Sequence, residues 1–211
     1  MRNAYYNALY KCDAQIGRLV HALRELGRLD NTILVVMGEN GEAFHENGAI
    51  SHAGKPVEPT VRVAMVIHAP RFVEPAVIDY PTELIDTVPT VLGLMGWPRH
   101  PNHQGINILA SDRPTFDKRL VFLHTENVLS KTDAVLYQGR WKLLLDRNTG
   151  HFEFYDLATD PEEKTNLIDT EEQLAKQLGD ILVRWRKRQL AYYHYPQYYL
   201  SYYPPRPPVV T

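Results

Sequence analysis

Apolar residues at Tyr5, Leu9, Cys12, Ile16, Leu19, Leu23 and Leu26 recur at steps of three and four, the spacing of one helix face, and Gly27 follows as a stop signal. The pattern predicts a long helix with Cys12 on its apolar face, a buried small residue rather than a reactive thiol. After a turn at Asp30 and Asn31, the run TILVVM is short, β-branched and apolar on both sides, which predicts a strand buried in a parallel sheet. A second such run, VAMVIHAP, follows a polar loop from Gly38 to Thr60. YPTELIDTVPTVLGLMG then predicts a helix interrupted or started afresh at Pro89.

From about Leu120 the pattern changes. LVFLHTE, DAVLYQG, RWKLLLD and FEFYDL are short and separated by turn-prone residues such as Arg147-Asn148-Thr149-Gly150, which predicts an antiparallel meander. Thr170 and Gln173 have the spacing of a capping box, and Leu174, Leu178, Ile181, Leu182 and Trp185 form a helical stripe suited to cover that sheet. The tail from Ala191 is rich in tyrosine and proline and has neither period, so an extended arm is expected there. Three units are expected: an α/β part over 1–115, a β-plus-helix part over 116–190 and the tail over 191–211.

With 211 residues and 44% hydrophobic content, the chain can bury a core. Its 23 basic and 25 acidic residues nearly cancel, so no global field implies nucleic acid or an anionic membrane as partner. Cys12 alone excludes an internal disulfide. No stretch approaches the ~18 apolar residues of a membrane span, and the first residues lack the apolar core of a signal peptide.

The candidate chemistry lies in the loop MGENGEAFHENGAISHAGK, which begins where the first buried strand ends. In open α/β sheets ligands bind beyond the carboxyl ends of strands. The loop gathers Glu39, Asn40, Glu42, His45, Glu46, His52 and Lys55 among glycines at 38, 41, 48 and 54. These supply oxygen ligands for a hard cation and groups that attract anions. A solvated polar connection would have a similar composition, so composition leaves both readings open.

Several motifs resemble the sulfatase family of the alkaline-phosphatase-like superfamily. Gly38-Glu39-Asn40-Gly41 is similar to the family's Ser-Asp-Asn-Gly strand end, His52-Ala53-Gly54-Lys55 to its His-Gly-Lys stretch, and Val61-Arg62-Val63 to its Arg-Val-Pro. Asp86-Thr87-Val88-Pro89-Thr90 resembles its Asp-x-x-Pro-Thr helix, with Gly96, Pro98 and Gly105 beyond. Phe154-Tyr155-Asp156-Leu157, Asp160-Pro161-Glu162-Glu163 and Asn166-Leu167 resemble its long signature Leu-Tyr-Asp-Leu-x-x-Asp-Pro-x-Glu-x-x-Asn-Leu, the most specific match. The resemblance implies an α/β fold holding part of a mixed, mainly parallel sheet flanked by helices, plus a small C-terminal antiparallel sheet with one helix.

By resemblance, Glu39 and Asn40 would be two ligands of a divalent metal, most often calcium. Lys55 would contact the sulfate oxygens of a sulfate ester substrate, and His52 would donate to the leaving oxygen or, in the phosphatase-like branch, ligate a metal. Glu39 stands where the family has Asp, and its extra methylene moves the carboxylate by roughly 1.5 Å. Arg62, Asp86 and Thr90 are expected to pack and cap, and the signature to hold a turn rather than do chemistry. The nucleophile motif Cys-x-Pro-Ser-Arg, or its serine version, occurs nowhere in the chain. The resemblance therefore implies the C-terminal portion of a hydrolase, weak metal binding in this chain alone, and a homo-oligomer through an exposed sheet edge or the tail. Family members are often exported or periplasmic. A phosphoryl-transfer or phosphodiester enzyme of the same superfamily is the second expectation, on the likeness of Gly-Glu-Asn-Gly-Glu to Gly-Asp-His-Gly-Glu, and a non-catalytic binding module the third.

Overall fold

The computed structural model describes residues 1–52, 54–115, 118–128 and 130–208. Ala53 of the His-Ala-Gly-Lys match, Phe116 at the expected boundary and the final residues of the tail lie outside that range. The first element is α1 (Arg2–Glu25), and Gly27 terminates it at φ 62, a left-handed conformation that glycine adopts without strain. None of its residues is buried, and Cys12 is exposed, contrary to the expectation of a packed thiol. Its stripe is right for a core, but among the described residues only Tyr5, edge-on to Phe44 at 5.3 Å, finds an aromatic partner beyond the helix.

The two apolar runs form β1 (Leu34–Met37) and β4 (Met65–His68), which pair with each other antiparallel from Leu34↔His68 to Met37↔Met65. This corrects the expectation of a mainly parallel arrangement for these strands. The intervening segment returns the chain beside β1 without a crossover helix, and an antiparallel neighbour is what such a return produces. Among the described residues the ribbon has no third strand, so its residues are half-buried or exposed rather than enclosed on both faces. Between them lie a two-residue hairpin of β2 (Ala43–Phe44) with β3 (Ile50–Ser51) and the single turn α2 (Glu58–Val61).

A 3-10 turn over Leu84–Asp86 leads into α3 (Thr87–Leu94), where Pro89 sits in the first turn and needs no intrahelical N–H partner. Asp86 and Thr90 act as expected. Asp86 caps the turn by accepting from Glu83 N at 2.9 Å and Ile106 N at 2.8 Å, and Thr90 Oγ1 accepts from Ile108 N at 3.1 Å. A Cβ on Gly105 would lie 2.1 Å from the carbonyl of Ile85, so only glycine lets these two backbones meet.

The meander is present as β5 (Leu120–Glu126), β6 (Lys131–Tyr137), β7 (Trp141–Asp146) and β8 (Phe152–Asp156), antiparallel in sequence order. Alternation assigns its two faces. One turns Leu120, Val135, Leu143 and Phe154 onto Ala175, Leu178 and Leu182 of α4 (Glu172–His194), with Phe122 stacked on Trp185 at 4.6 Å. Each large apolar side chain enclosed there contributes on the order of 1.5–3 kcal/mol. The helix stripe is thus the expected one, but the capping box is not formed. Thr170 donates to Leu167 O instead, and Glu171 occupies the N-cap without a side-chain bond.

The opposite face carries Ala134, Lys142, Leu144, Glu153 and Tyr155, and the loop segment around Lys55 to Thr60 lies against it. Lys142 is fully buried; its ammonium lies 3.0 Å from Glu58 Oε1 and forms an ion pair with Glu163 Oε1 at 2.9 Å, off the hydrogen-bonding direction. Glu163 Oε2 accepts from Glu58 N at 2.7 Å, so one carboxylate serves both the lysine and the start of α2. The signature residues stitch this region together. Asp156 holds Arg140 through two bonds of 2.7 Å, Asp160 Oδ2 accepts from Lys164 N and Thr165 N, and Asn166 Oδ1 accepts from Phe154 N.

The tail departs from the expected extended arm: α4 runs to His194, and α5 (Pro196–Ser201) follows. Proline at the first turn of a helix is permitted, and Tyr192 Oη donates to Tyr202 O at 2.8 Å to hold the bend. Residues 202–208 lie outside any helix, and Gln104 Nε2 donates to Pro205 O at 2.8 Å. Among the described residues no helix is long and apolar enough to cross a membrane.

The Lys142 cluster sets a direct test. Lys142→Met leaves Glu163 buried without its cation and should lower unfolding stability by about 3–5 kcal/mol. The double variant Lys142→Met/Glu163→Gln should recover part of that loss, as read by denaturant unfolding.

Candidate active site

The loop that carries the candidate residues begins at Gly38, whose N–H continues the ribbon by donating to Ala64 O at 3.1 Å. Gly41 then packs on α2: its N–H donates to Thr60 O at 2.9 Å, and a Cβ there would stand 2.1 Å from Pro59 O. That close approach holds Glu39 and Asn40 at the end of β1, both exposed. Asn40 Nδ2 donates to Gly41 O at 2.8 Å, which leaves the side-chain oxygen as the atom for a cation.

Glu39, Asn40 and His52 line one cleft of roughly 1070 Å³, together with Arg62, Glu83 and His124. His52 Nδ1 lies 3.3 Å from Glu42 Oε2, so this carboxylate orients the ring. Lys55 is not among the cleft lining. Its ammonium bonds Glu153 of β8 and lies 6.0 Å from the ring centroid of Tyr155, while Tyr155 Oη donates to the same Glu153 oxygen at 2.7 Å. Burial pushes the Glu153 carboxyl up, but the bonds from Lys55 and Tyr155 outweigh it and hold the carboxyl below its ordinary value. The same surroundings, burial first and then the Glu153 charge, raise the Tyr155 phenol. Of the other loop acids, Glu46 is engaged by Arg2 and by Phe44 N, and His45 is exposed in a left-handed conformation.

A divalent cation takes six to eight oxygen ligands if it is calcium. Glu39 and Asn40 have the right donor chemistry, but among the described residues no three His, Cys, Asp or Glu side chains gather at one point. The residues therefore fit a metal as a contributing pair and not as a complete cage.

Beside these lie charged groups that sequence reasoning passed over. Arg119 donates at 2.7 Å to both Glu83 and Asp86, and Glu83 Oε1 accepts from Phe122 N at 3.0 Å. Further along the cleft, buried Asp133 accepts from Arg186 at 3.0 Å and holds His124 Nδ1 at 2.6 Å. A signal for two of the missed groups was available. Asp133 and Lys142 are charged residues inside apolar strand runs, where such residues are depleted, and a buried charge needs a partner.

With this geometry in place, comparison with known proteins is decisive. The sulfatase family model matches residues 1–97. Over those residues the chain belongs to the sulfatase family. An arylsulfatase of Clostridium perfringens is 29% identical over 176 residues, covering 80% of this chain and 36% of that protein. The uncharacterised sulfatase YidJ of Escherichia coli is 30% identical over 175 residues, 78% of this chain and 34% of its own. Among solved structures, a protein in complex with its substrate D-glucosamine-2-N,6-O-disulfate superposes with a TM-score of 0.67 at 24% identity, covering 83% of this chain and 38% of that one. The alkaline-phosphatase-like fold is thereby established. This sulfatase chain spans about a third of the length of the curated relatives it matches.

The acidic pair in the cleft carries a pH signature. Burial, stronger than the opposing pull of Arg119, lifts the Glu83 carboxyl from its ordinary 4.5 to about 7. The folded protein then holds a proton that the unfolded chain releases, so the associated stability is complete below pH ~4.5 and is lost as pH rises through ~7. At about 1.4 kcal/mol per unit, the loss approaches ~3 kcal/mol. Melting temperature should fall between pH 5 and pH 8 and flatten in Glu83→Gln; an unchanged slope in that variant would place the titration elsewhere.

Proposed function

We propose that this chain is the C-terminal portion of a sulfatase, a sulfuric ester hydrolase, and that it supplies part of the metal and sulfate site while the nucleophile comes from residues outside it. One observation carries the reading: Glu39 and Asn40, the matches to two metal ligands, sit at the end of β1 and line the same cleft as His52. Glu39 and Asn40 would hold a divalent cation, most often calcium in this family, with further carboxylates from outside the chain. When bound, such a cation supplies Lewis-acid neutralisation of charge on the sulfuryl oxygens.

The chain's own residues would do three things. His52, oriented by Glu42, is within the cleft to give a proton to the leaving alcohol. Lys55 carries a compact cation suited to a tetrahedral anion. Its ammonium is held by Glu153, and a sulfate group entering beside it would compete with Glu153 for the same donor. Glu58, Lys142 and Glu163 hold α2 against the sheet, and through Gly41 they fix the height of Glu39 and Asn40. The signature thus supports the site without entering it.

The purified chain should not hydrolyse 4-nitrophenyl sulfate or its phosphate analogue, with or without calcium. Calcium-dependent sulfate turnover abolished in Lys55→Ala would overturn the shared-site reading, because it would require a nucleophile within this chain. Fused behind the nucleophile-bearing part of the Clostridium perfringens arylsulfatase, the chain should gain sulfatase activity. There Lys55→Ala should lower kcat/KM by about 10²–10³, and Glu39→Ala should raise the calcium concentration needed for half-maximal rate.

A further inference from the structure

The run Arg184-Trp185-Arg186-Lys187-Arg188 on α4 divides by direction. Arg186 turns to Asp133, with contacts of 3.0 and 3.1 Å, and is neutralised there. Arg184 and Arg188, four residues apart and so on one helix face, instead border a notch of roughly 80 Å³ together with Arg206, Trp185, Gln189 and two prolines of the folded-back tail. None of these three arginines has an ion pair or hydrogen bond among the described residues. Arg99 adds to the like charge: Arg206 lies near enough to depress its guanidinium, after burial, which is the larger cause.

Convergent guanidiniums around a concavity repel one another unless an anion enters. Arginine's planar fork matches the oxygens of sulfate and phosphate groups. A water molecule occupies about 30 Å³ in the liquid, so the notch has room for a single oxyanion group and not for a sugar ring. Its position matters as much as its charge. Trp185 and Gln189 line both the notch and the large cleft, and Gln104 Nε2, 3.0 Å from Gln189 Oε1 and 2.8 Å from Pro205 O, ties the tail that closes the notch to that shared wall.

We infer that the notch of Arg184, Arg188 and Arg206 is an anion subsite that holds a second sulfate group of a multiply sulfated glycan whose ester to be cleaved lies in the adjoining cleft. The inference rests on the proposed sulfatase reading for the occupant of the cleft; the notch itself rests on its arginines. A duplex nucleic acid is the less suitable occupant. It presents an extended row of phosphates, whereas this basic surface is a single indentation on a chain of net charge −2.

The test measures binding and needs no turnover, so its failure is separable from failure of the catalytic reading. The full chain is titrated with a heparin hexasaccharide, with the same hexasaccharide after chemical desulfation, and with a short DNA duplex of matched charge. Arg184→Ala/Arg188→Ala/Arg206→Ala is compared with Lys11→Ala/Arg18→Ala/Arg24→Ala on α1, which removes the same charge elsewhere. The notch variant should bind heparin about ten-fold more weakly and the α1 variant within about two-fold, with desulfated hexasaccharide and DNA weak throughout. All altered arginines in the notch are exposed, and an unchanged melting curve checks the fold; Arg188→Ala alone, expected to give an intermediate loss, serves if the triple variant melts early. Equal losses in the two triple variants would reduce the effect to net charge and overturn the proposal. So would duplex DNA binding as tightly as heparin, or undiminished heparin binding by the notch variant.

Discussion

A lysine ammonium with no solvent exposure, held between Glu58 and Glu163, is the interaction on which the arrangement of this protein depends. An isolated buried charge would be prohibitively costly, so Lys142 can stay in β7 only while both glutamates are in place. Glu58 begins α2 and Glu163 belongs to the link after β8, so satisfying one lysine brings together segments about a hundred residues apart in sequence. The same contact surface includes Lys55 and Glu153, which repeats the principle at a half-exposed position. Charge satisfaction, more than apolar burial, joins the candidate site to the small sheet.

That joint has consequences for the chemistry. The loop after β1 has few apolar anchors of its own, and Glu39, Asn40 and His52 owe their placement to Gly41 lying on Pro59 and Thr60 of α2. Because α2 is tied to Lys142 and Glu163, the sulfatase signature acts at a distance, as a brace for the loop that carries Glu39, Asn40 and His52. At the cleft, Arg119 is shared by Glu83 and Asp86, and burial, with a smaller push from the Asp86 charge, lifts Glu83 against the pull of Arg119. The brace and the cleft thus both rest on a buried cation shared by two carboxylates.

Much of the fold was legible in the sequence. The 3.6-residue stripes of α1 and α4, the period-two runs of β5 to β8 and the turn chemistry of Asp156, Asp160 and Asn166 are local properties, and each appears where its pattern placed it. The candidate loop was found from the ordered match of short motifs around Glu39, Asn40, His52 and Lys55. Three local readings failed for identifiable reasons. Cys12 is exposed because an amphipathic stripe says which face could be buried and not whether anything covers it. Thr170 caps nothing, because the chain follows its bond to Leu167 O and begins the helix one residue later. The tyrosine-rich tail is helical through Ser201 because Pro196 can start a helix as readily as it can break one.

What the sequence by itself determined was therefore the set of elements, the family resemblance and the residue types offered for chemistry, since these depend on spacing and local hydrogen bonding. The tertiary structure alone decided the antiparallel pairing of β1 with β4, the diversion of Lys55 to Glu153, the gathering of Glu83, Asp86 and Arg119, and the convergence of Arg184 and Arg188 on Arg206. Each of these joins residues distant along the chain. Which charges meet across such distances is settled by how helices and sheets pack, and no local period encodes it.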